Sequence, residues 1–583
     1  METLISILQE IVTKAISKTF TQFSSEKADI ALCLQQQFGH YQCNSALKLG
    51  KILKKSPREV AQEIISNIDR CFLQEDIFED ISIAGPGFIN MKLTSSFISS
   101  QLNTIVKDPF LGVKQSDPPQ KIIVEFSSPN IAKELHVGHL RSTIIGDCLA
   151  RLFEFLGNDV LRLNHIGDWG TQFGMLITYL KQYHPKILIG EEKADLSSLT
   201  DWYKQAKKKF DADADFKKRS QLEVVNLQGK EKEAYNAWNI ICDISRLAFE
   251  EIYGLLDVKI KERGESFYNP YLKSIVEDLQ EKGLIEISDN AKCIFIEGFK
   301  NREGNPLPLM IQKSDGGFNY DTTDMAGFKH RTEEEKADRI IVVTDAGQSL
   351  HFQMIYKAAV KAKYLDPNKT EFDHVTFGLV LGPDGKKFKT REGATEKLID
   401  LLKEAVDRAK NLLIERLPNL DEKEINSIAK ALGIGAIKYA DLSCHRQKDY
   451  LFSYDRMLRF EGNTAAFLLY AYVRIMGIKR KVKVNIDEII DVSEIELEHP
   501  SEISLGFHLR RFGEVLETVS KDLLPNRLTD YLYELAENFN AFFRDCRVDG
   551  SDKQNNRLIL CELTGRILQK GLNILGLKTV NRM

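Results

Sequence analysis

The chain has 583 residues, of which 43% are apolar, enough to build ordinary cores in about three domains. Its formal net charge of −4 excludes a uniformly basic nucleic-acid coat. Contact with RNA would have to come from local patches such as Lys207 to Lys209 or Lys479 to Lys483, and a charge run of that kind is otherwise a solvated face.

Nine cysteines without a Cys-x-x-Cys pair read as reduced core thiols of a cytoplasmic protein, and no apolar run approaches the ~18 residues of a membrane span. The opening METLISILQEIVTKAISKTF contains Glu2 and Glu10 but no arginine, and fits neither a signal nor a transit peptide. Leu4, Leu8, Ile11 and Ala15 make it an amphipathic helix. A second helix is predicted over 45–68, and ISIAGPGFINMKL alternates like a strand pair, so residues 1–115 are expected to form a small α/β domain. Asp108 to Gln120, with Pro109, Pro118 and Pro119, has linker composition.

From residue 116 a nucleotide-binding pattern follows. Ile122 to Phe126 is a buried strand ending at Ser127, Ser128 and Pro129. Leu140, Ile144, Cys148, Leu152 and Phe155 then repeat at helical spacing until Gly157, and Val160 to Asn164 is a second strand. This is the βαβ unit of a parallel, Rossmann-like sheet, which binds ligands at strand carboxyl ends beside helix N-termini. Asn130, Lys133, His136 and His139 gather after the first strand, and His165, Asp168, Trp169 and Gln172 after the second. His136 and His139 can lie on one side of the helix mouth, as a developing phosphate charge requires, with Gly138 between them leaving the backbone open to a ligand. An isolated His-x-x-His also serves simply as a helix cap. His165 could complete a zinc set, although no His-Glu-x-x-His helix or cysteine pair supports one.

A charged, helix-rich insertion is predicted over about 190–300. The sheet resumes with Ile340 to Thr344 and Val375 to Leu381, which deliver Asp345, Gln348 and the 382–393 loop to the edge that carries the histidines. In that loop Asp384 and Gly385 turn, and Lys386, Lys387, Lys389 and Arg391 make a cationic flap. After a long helix over 394–417, residues 421–583 read as an α-helical bundle, in which Phe467, Tyr470, Tyr472 and Arg474 cluster as unstacked RNA bases would need, or as a core stripe would.

SPNIAKELHVGHLRSTIIGDCLARL followed by NHIGDWGTQFG resembles the ATP-binding signature of class I aminoacyl-tRNA synthetases, in the form found in arginyl-tRNA synthetases. HVGH at 136–139 stands at the His-x-Gly-His element of that class. KFKTR at 387–391 resembles its Lys-Met-Ser-Lys-Ser element, with Lys387 at the first lysine and Thr390 in place of the second, a gap that Lys133 fills by the same resemblance. FGHYQCNSALKLGK and AGPGFIN resemble marks of the family's N-terminal tRNA-contacting domain, which would place Asn44, Phe88 and Asn90 against tRNA. The segment around Phe467, Tyr470 and Arg474, with the ending LGLKTVNRM, is similar to the family's anticodon-binding domain.

The resemblance implies domains at 1–115, 116–420 and 421–583 and a two-step ligation of L-arginine to tRNA(Arg) through an arginyl-adenylate. His136, His139, Lys133, Lys387 and Lys389 would be catalytic, and Gly138, Lys386, Thr390 and Arg391 would bind ATP. Glu125, Asn130, His136, Tyr320, Asp324 and Gln348 would hold arginine. It further implies Mg²⁺ carried by ATP rather than by the protein, and a monomeric, cytoplasmic enzyme. Glu125 is conspicuous on its own account: a carboxylate inside an apolar strand is either exposed or held for a cation. Two rivals remain. A nucleotidyltransferase of the same fold would share the histidine element but not require the terminal domains, and a non-catalytic tRNA-binding relative would not need the histidines and the flap.

Overall fold

The computed structural model describes residues 1–33, 35–69, 71, 72, 75–301, 303–382, 384–386, 388 and 396–583. The chain divides into two compact units, one of residues 116–459 and 574–578, the other of residues 1–115, 460–573 and 579–583.

In the first unit the apolar, β-branched runs pair into an all-parallel sheet. Its order is Glu371–Phe377, Arg339–Asp345, Lys121–Glu125, Asp159–Asn164 and Lys261–Glu262. Three of these strands lie within a residue of where the apolar runs place them. The fourth prediction, one strand over 375–381, is instead two strands. The Gly378 N–H leaves the sheet for the Arg446 carbonyl at 2.9 Å, and Val380–Leu381 pairs with Tyr450–Leu451. The helix expected between the first two strands runs Val137–Phe155, with Leu140, Ile144, Cys148 and Leu152 buried. Within the predicted insertion, helices Leu196–Ala212, Ala214–Gln228 and Lys232–Leu256 give way to the edge strand Lys261–Glu262 and the helix Asn269–Glu281. A three-stranded antiparallel sheet of Glu286–Ser288, Ala291–Lys300 and Pro306–Gln312 follows, and its Ile294 and Ile311 pack with Ile123 and Ile340 in a common core.

The second unit joins both ends of the chain. Its antiparallel sheet runs Ile30–Leu32, Tyr41–Cys43, Phe88–Leu93, Phe78–Ala84. The single helix expected over 45–68 is two, Ser45–Leu53 and Pro57–Ile65, because Lys54 turns left-handed (φ 53°) and Pro57 starts a new first turn. Helices from Ala465–Val482 onward complete the unit. Tyr41 donates to Glu514 at 2.8 Å, and His40 stacks on Phe507 at 4.2 Å, tying the terminal sheet to the helices.

The boundary read from the sequence at 421 differs from the compact units, because the helix Glu422–Leu442 belongs with the parallel sheet. Buried charges hold it there. Arg141 on the Val137–Phe155 helix pairs with Asp441 at 3.1 Å, both side chains being 0% exposed. The same guanidinium donates to the carbonyls of Gly378 (2.8 Å) and Lys448 (3.1 Å). Lys438 is equally buried and donates to the carbonyls of Leu256 and Gly576. Removing one partner of a buried pair leaves an uncompensated charge. Asp441→Ala should therefore destabilise this unit by about 3–5 kcal/mol in denaturant titration, and an unchanged midpoint would contradict the assignment.

Candidate active site

The carboxyl end of Lys121–Glu125 enters a loop in which Ser127, Ser128 and Ala132 all have positive φ (68°, 46° and 59°). Such a path is costly for residues with a Cβ and persists only when over-determined. Here it is pinned: Ser127 N–H donates to Ser142 Oγ (2.9 Å), Ser128 N–H to Asn164 Oδ1 (3.0 Å) and Ala132 N–H to Ser245 Oγ (3.1 Å). Asn130 is exposed on this loop and bridges to Gly167, while Lys133, also exposed, lies 5.9 Å from the ring of Tyr203.

The loop delivers His136 as the N-cap of the Val137–Phe155 helix. Gly138 N–H donates to His136 Nδ1 at 3.1 Å, and His136 N–H donates to His139 Nδ1 at 3.2 Å. The rings are 4.2 Å apart and inclined at 47°. An imidazole nitrogen that accepts an N–H bears no proton, so in the neutral form both rings carry their hydrogen on Nε2. Burial first, then the neighbouring His136 and Lys133, pull His139 down to about 3, which keeps it neutral at physiological pH. A Cβ on Gly138 would lie 2.9 Å from Cε1 of His136, so this glycine makes room for the cap ring itself.

In the flap, Gly382 N–H donates to the Lys386 carbonyl at 2.7 Å and Lys386 N–H to Asp384 Oδ1 at 3.1 Å, with Gly385 at φ 72°, which is the expected turn. Lys386 is exposed, and Phe388 is buried against Phe452. Lys387, Lys389, Thr390 and Arg391 lie outside the described residues.

A second neighbourhood is rich in acid. Glu125 is buried, but it is not an open acceptor: the buried Arg331 donates to its Oε2. Glu125, expected beside Asp324 around arginine and held for a cation, thus already has one oxygen engaged by a cation of the chain itself. Asp324 accepts from His351 Nε2 at 2.6 Å, and Asp321 Oδ1 lies 3.4 Å from the other nitrogen of that ring. Tyr320, 57% exposed, sits 5.2 Å from His351 ring to ring. Gln348 is exposed and donates to Asp345 at 3.2 Å. His165 faces Asp324 Oδ1 at 4.0 Å rather than joining His136 and His139, and no group of three or more potential metal ligands occurs among the described residues.

Sequence reasoning missed Glu265. Burial, then the charges of Asp324 and Asp168, push its carboxyl up to about 8. Asp168 itself holds the turn that presents it, accepting from Ser266 N–H (2.8 Å) and Ser266 Oγ (2.5 Å). A Cβ on Gly264 would lie 2.4 Å from the Asp168 carboxyl carbon, so Gly264–Glu265–Ser266 with a distant aspartate was the signal available. Asp321 is also raised, to about 6, by burial and by the charge of Asp324 against the opposing effect of His351. Carboxyls held partly protonated by burial, with a neighbouring carboxylate adding to it, are short of a cation.

In the other unit, Arg474 lies 5.0 Å from the ring of Tyr470 and 5.0 Å from that of Phe543, and donates to Asn540 at 2.6 Å. Arg474, Lys481, Phe543, Arg544 and Arg547 line a cavity of about 510 Å³. Phe467 packs on Tyr533 at 5.4 Å and is not part of that lining. Asn44 precedes the Ser45–Leu53 helix and accepts from Gln42 at 2.7 Å, and Phe88 is half-buried. Asn90 is only 3% exposed, with Cys33 against its side chain, so in this conformation it offers no surface for contact, unlike the expectation.

Residues 101–454 match the family described as tRNA synthetases class I (R), catalytic domain. Residues 6–93 match the arginyl tRNA synthetase N terminal domain and 468–583 the DALR anticodon binding domain. The arginine–tRNA ligase of Protochlamydia amoebophila is 59% identical, and that of Chlamydia caviae 52%, each alignment covering 100% of both chains. The crystal structure of arginyl-tRNA synthetase from Plasmodium falciparum superposes with a TM-score of 0.86 at 36% identity, again over 100% of both chains. With its capped histidine pair, its acid pocket and these full-length likenesses, the chain belongs to the arginyl-tRNA synthetase family of class I.

Proposed function

We infer that the chain ligates L-arginine to tRNA(Arg) at the expense of ATP, first forming arginyl-adenylate and diphosphate, then passing arginine to a terminal ribose hydroxyl and releasing AMP. The observation that carries the substrate assignment is the acid pocket. Four carboxyls, Glu125, Glu265, Asp321 and Asp324, share one neighbourhood with Arg331, which is engaged by Glu125, and His351. A forked, permanently charged guanidinium supplies the missing cation and offers donors to more than one carboxylate at once. Glu265 joins Asp324 in this reading as an arginine-binding residue. Asn130, Tyr320 and Gln348 stand around the rim as exposed polar groups.

In the first step the amino-acid carboxylate attacks the α-phosphorus, and diphosphate leaves. The chain needs no nucleophile of its own. The Nε2 hydrogens of His136 and His139 at the positive end of a helix stabilise the charge that develops on the phosphoryl oxygens, and because each ring accepts an N–H at Nδ1 its Nε2–H is aimed as a donor. Lys133, Lys386, Lys387 and Lys389 neutralise the leaving diphosphate, with Thr390, Arg391 and Gly138 beside the nucleotide and Mg²⁺ arriving as part of the ATP substrate. Positioning and electrostatics supply the rate.

In the helical unit, the cavity walled by Arg474 and Phe543 suits an unstacked base, with Tyr470 beside it, and its four basic residues suit the adjoining phosphates. Asn44 and Phe88 mark a second tRNA-facing surface on the terminal sheet. The histidine pair and the acid pocket both belong to one compact unit of one chain, so the site needs no second subunit, and we propose a monomeric enzyme. The cysteines other than Cys71 are free thiols, in keeping with a reducing cytoplasm.

His139→Ala should slow adenylate formation in single-turnover assays by a factor equivalent to roughly 3 kcal/mol, as for one oxyanion donor. Loss of its bond to the His136 N–H adds about 1 kcal/mol of helix-cap destabilisation. An unchanged rate would remove this helix mouth from the chemistry.

Asp324→Asn should abolish most arginine binding, measured by calorimetry, and Glu265→Gln should weaken it less. Lysine, with one compact ammonium, should bind at least about 10⁴-fold more weakly than arginine because part of the buried acceptor set stays unsatisfied, so no hydrolytic proofreading site is needed. Normal arginine affinity in Asp324→Asn would move the pocket elsewhere.

A further inference from the structure

Asp324 already has a partner in the structure, the imidazole of His351. The ring of His351 is set between two carboxylates, with Nε2 2.6 Å from Asp324 Oδ2 and Nδ1 3.4 Å from Asp321 Oδ1. Nε2 hydrogen-bonds to Asp324, and Asp321, 3.4 Å from Nδ1, adds a second negative charge beside the same ring. Two carboxylates flanking one imidazole favour its charged form.

We propose that His351 is a resident cation of the pocket, standing in for the guanidinium at Asp324, and that arginine binding expels one proton from the Asp321–His351–Asp324 triad to solvent. This rests on the reading of the acid pocket as the arginine site. The exchange follows from competition for one carboxylate: a guanidinium that reaches Asp324 displaces the hydrogen bond from His351 Nε2, and the ring loses the contact that favours its charged form. Releasing the proton restores the original balance, with the ring neutral, Asp321 beside it and Asp324 turned to its substrate.

The groups around the ring agree with this assignment. Burial works against the charge on His351, but the hydrogen bond to Asp324 and the charges of Asp324 and Asp321 outweigh it and hold the ring above its ordinary value. Tyr320 approaches it from the helix that bears both aspartates. From the strand Glu371–Phe377, His374 is pulled down to about 4 by burial and by Arg446, and bonds to Thr344 at 2.7 Å, so it competes for no proton near neutrality. Glu265, raised to about 8, is a second and separate source of protons on arginine binding, which the experiment has to separate from the triad.

The test is calorimetric titration of the full chain with arginine near pH 6.5 in two buffers of different ionisation enthalpy, comparing wild type, Glu265→Gln, His351→Gln and the double variant. The difference in heats gives the number of protons released. Wild type should release between about half a proton and one proton more than His351→Gln, and the same difference should separate Glu265→Gln from the double variant. Each released proton makes affinity rise about tenfold per pH unit by linkage, so the affinity of wild type should climb more steeply with pH than that of His351→Gln. Equal proton release and equal slopes would overturn the proposal. If Asp324→Asn loses arginine binding while those slopes are equal, the pocket assignment stands and the resident-cation role falls. If Asp324→Asn binds arginine normally, the pocket assignment itself has failed. Histidine ¹⁵N resonances of the wild-type chain give the same answer without a His351 variant: a ring signal characteristic of imidazolium should become that of a neutral ring on saturation with arginine, and its persistence would refute the exchange.

Discussion

A helix must satisfy its first backbone N–H groups, and the Val137–Phe155 helix does so with imidazole nitrogens. Because His136 and His139 each accept an N–H at Nδ1, the proton of each neutral ring is on the opposite nitrogen, Nε2. The cap therefore decides the chemistry, making two neutral donors where a helix dipole already favours negative charge. The left-handed loop of Ser127, Ser128 and Ala132 exists to bring that cap to the sheet edge, and Ser142, Asn164 and Ser245 hold the loop in place. Farther along the same helix, Arg141 and Asp441 lock it to Glu422–Leu442, so the helix bearing the donors is fixed at both its mouth and its middle.

The acid pocket follows a different logic. The helix cap removes charge from two histidines, whereas the pocket gathers charge and leaves it unresolved. Glu265 and Asp321 are raised to about 8 and about 6, mainly by burial, with Asp324 adding to both. A site of this kind is poorly stable without its ligand and selective with it. A single ammonium leaves acceptors unmet, while a neutral isostere brings no charge at all. Donors without charge on one side and carboxylates short of a cation on the other match an anionic phosphate and a cationic side chain respectively.

Much of this was legible in the sequence because period and turn chemistry are local. The strand 122–126 is found at Lys121–Glu125, and His136 and His139 face each other across one helix turn, as their spacing predicts. What escaped depends on partners far along the chain. Glu125 looked like a carboxylate awaiting a substrate, yet Arg331, 206 residues away, already donates to it. Glu265 sits in a turn with no periodicity, and only Asp168, which accepts from Ser266, 98 residues later, makes that turn a binding element. The boundary read near 421 differs from the edge of the compact unit because an amphipathic helix reads the same whichever core it faces. The buried Lys438 and Asp441 decide the matter through contacts that no local pattern reveals.

In the proposed site, one sheet edge joins a phosphate-binding helix mouth of neutral donors to a pocket that accepts only a forked cation. ATP–pyrophosphate exchange, measured with each of the amino acids in turn and with and without tRNA(Arg), tests it most directly. Exchange is expected with arginine, and none of consequence with lysine, glutamine or any other amino acid. Comparable exchange with lysine, or no exchange with arginine even when tRNA(Arg) is present, would contradict it.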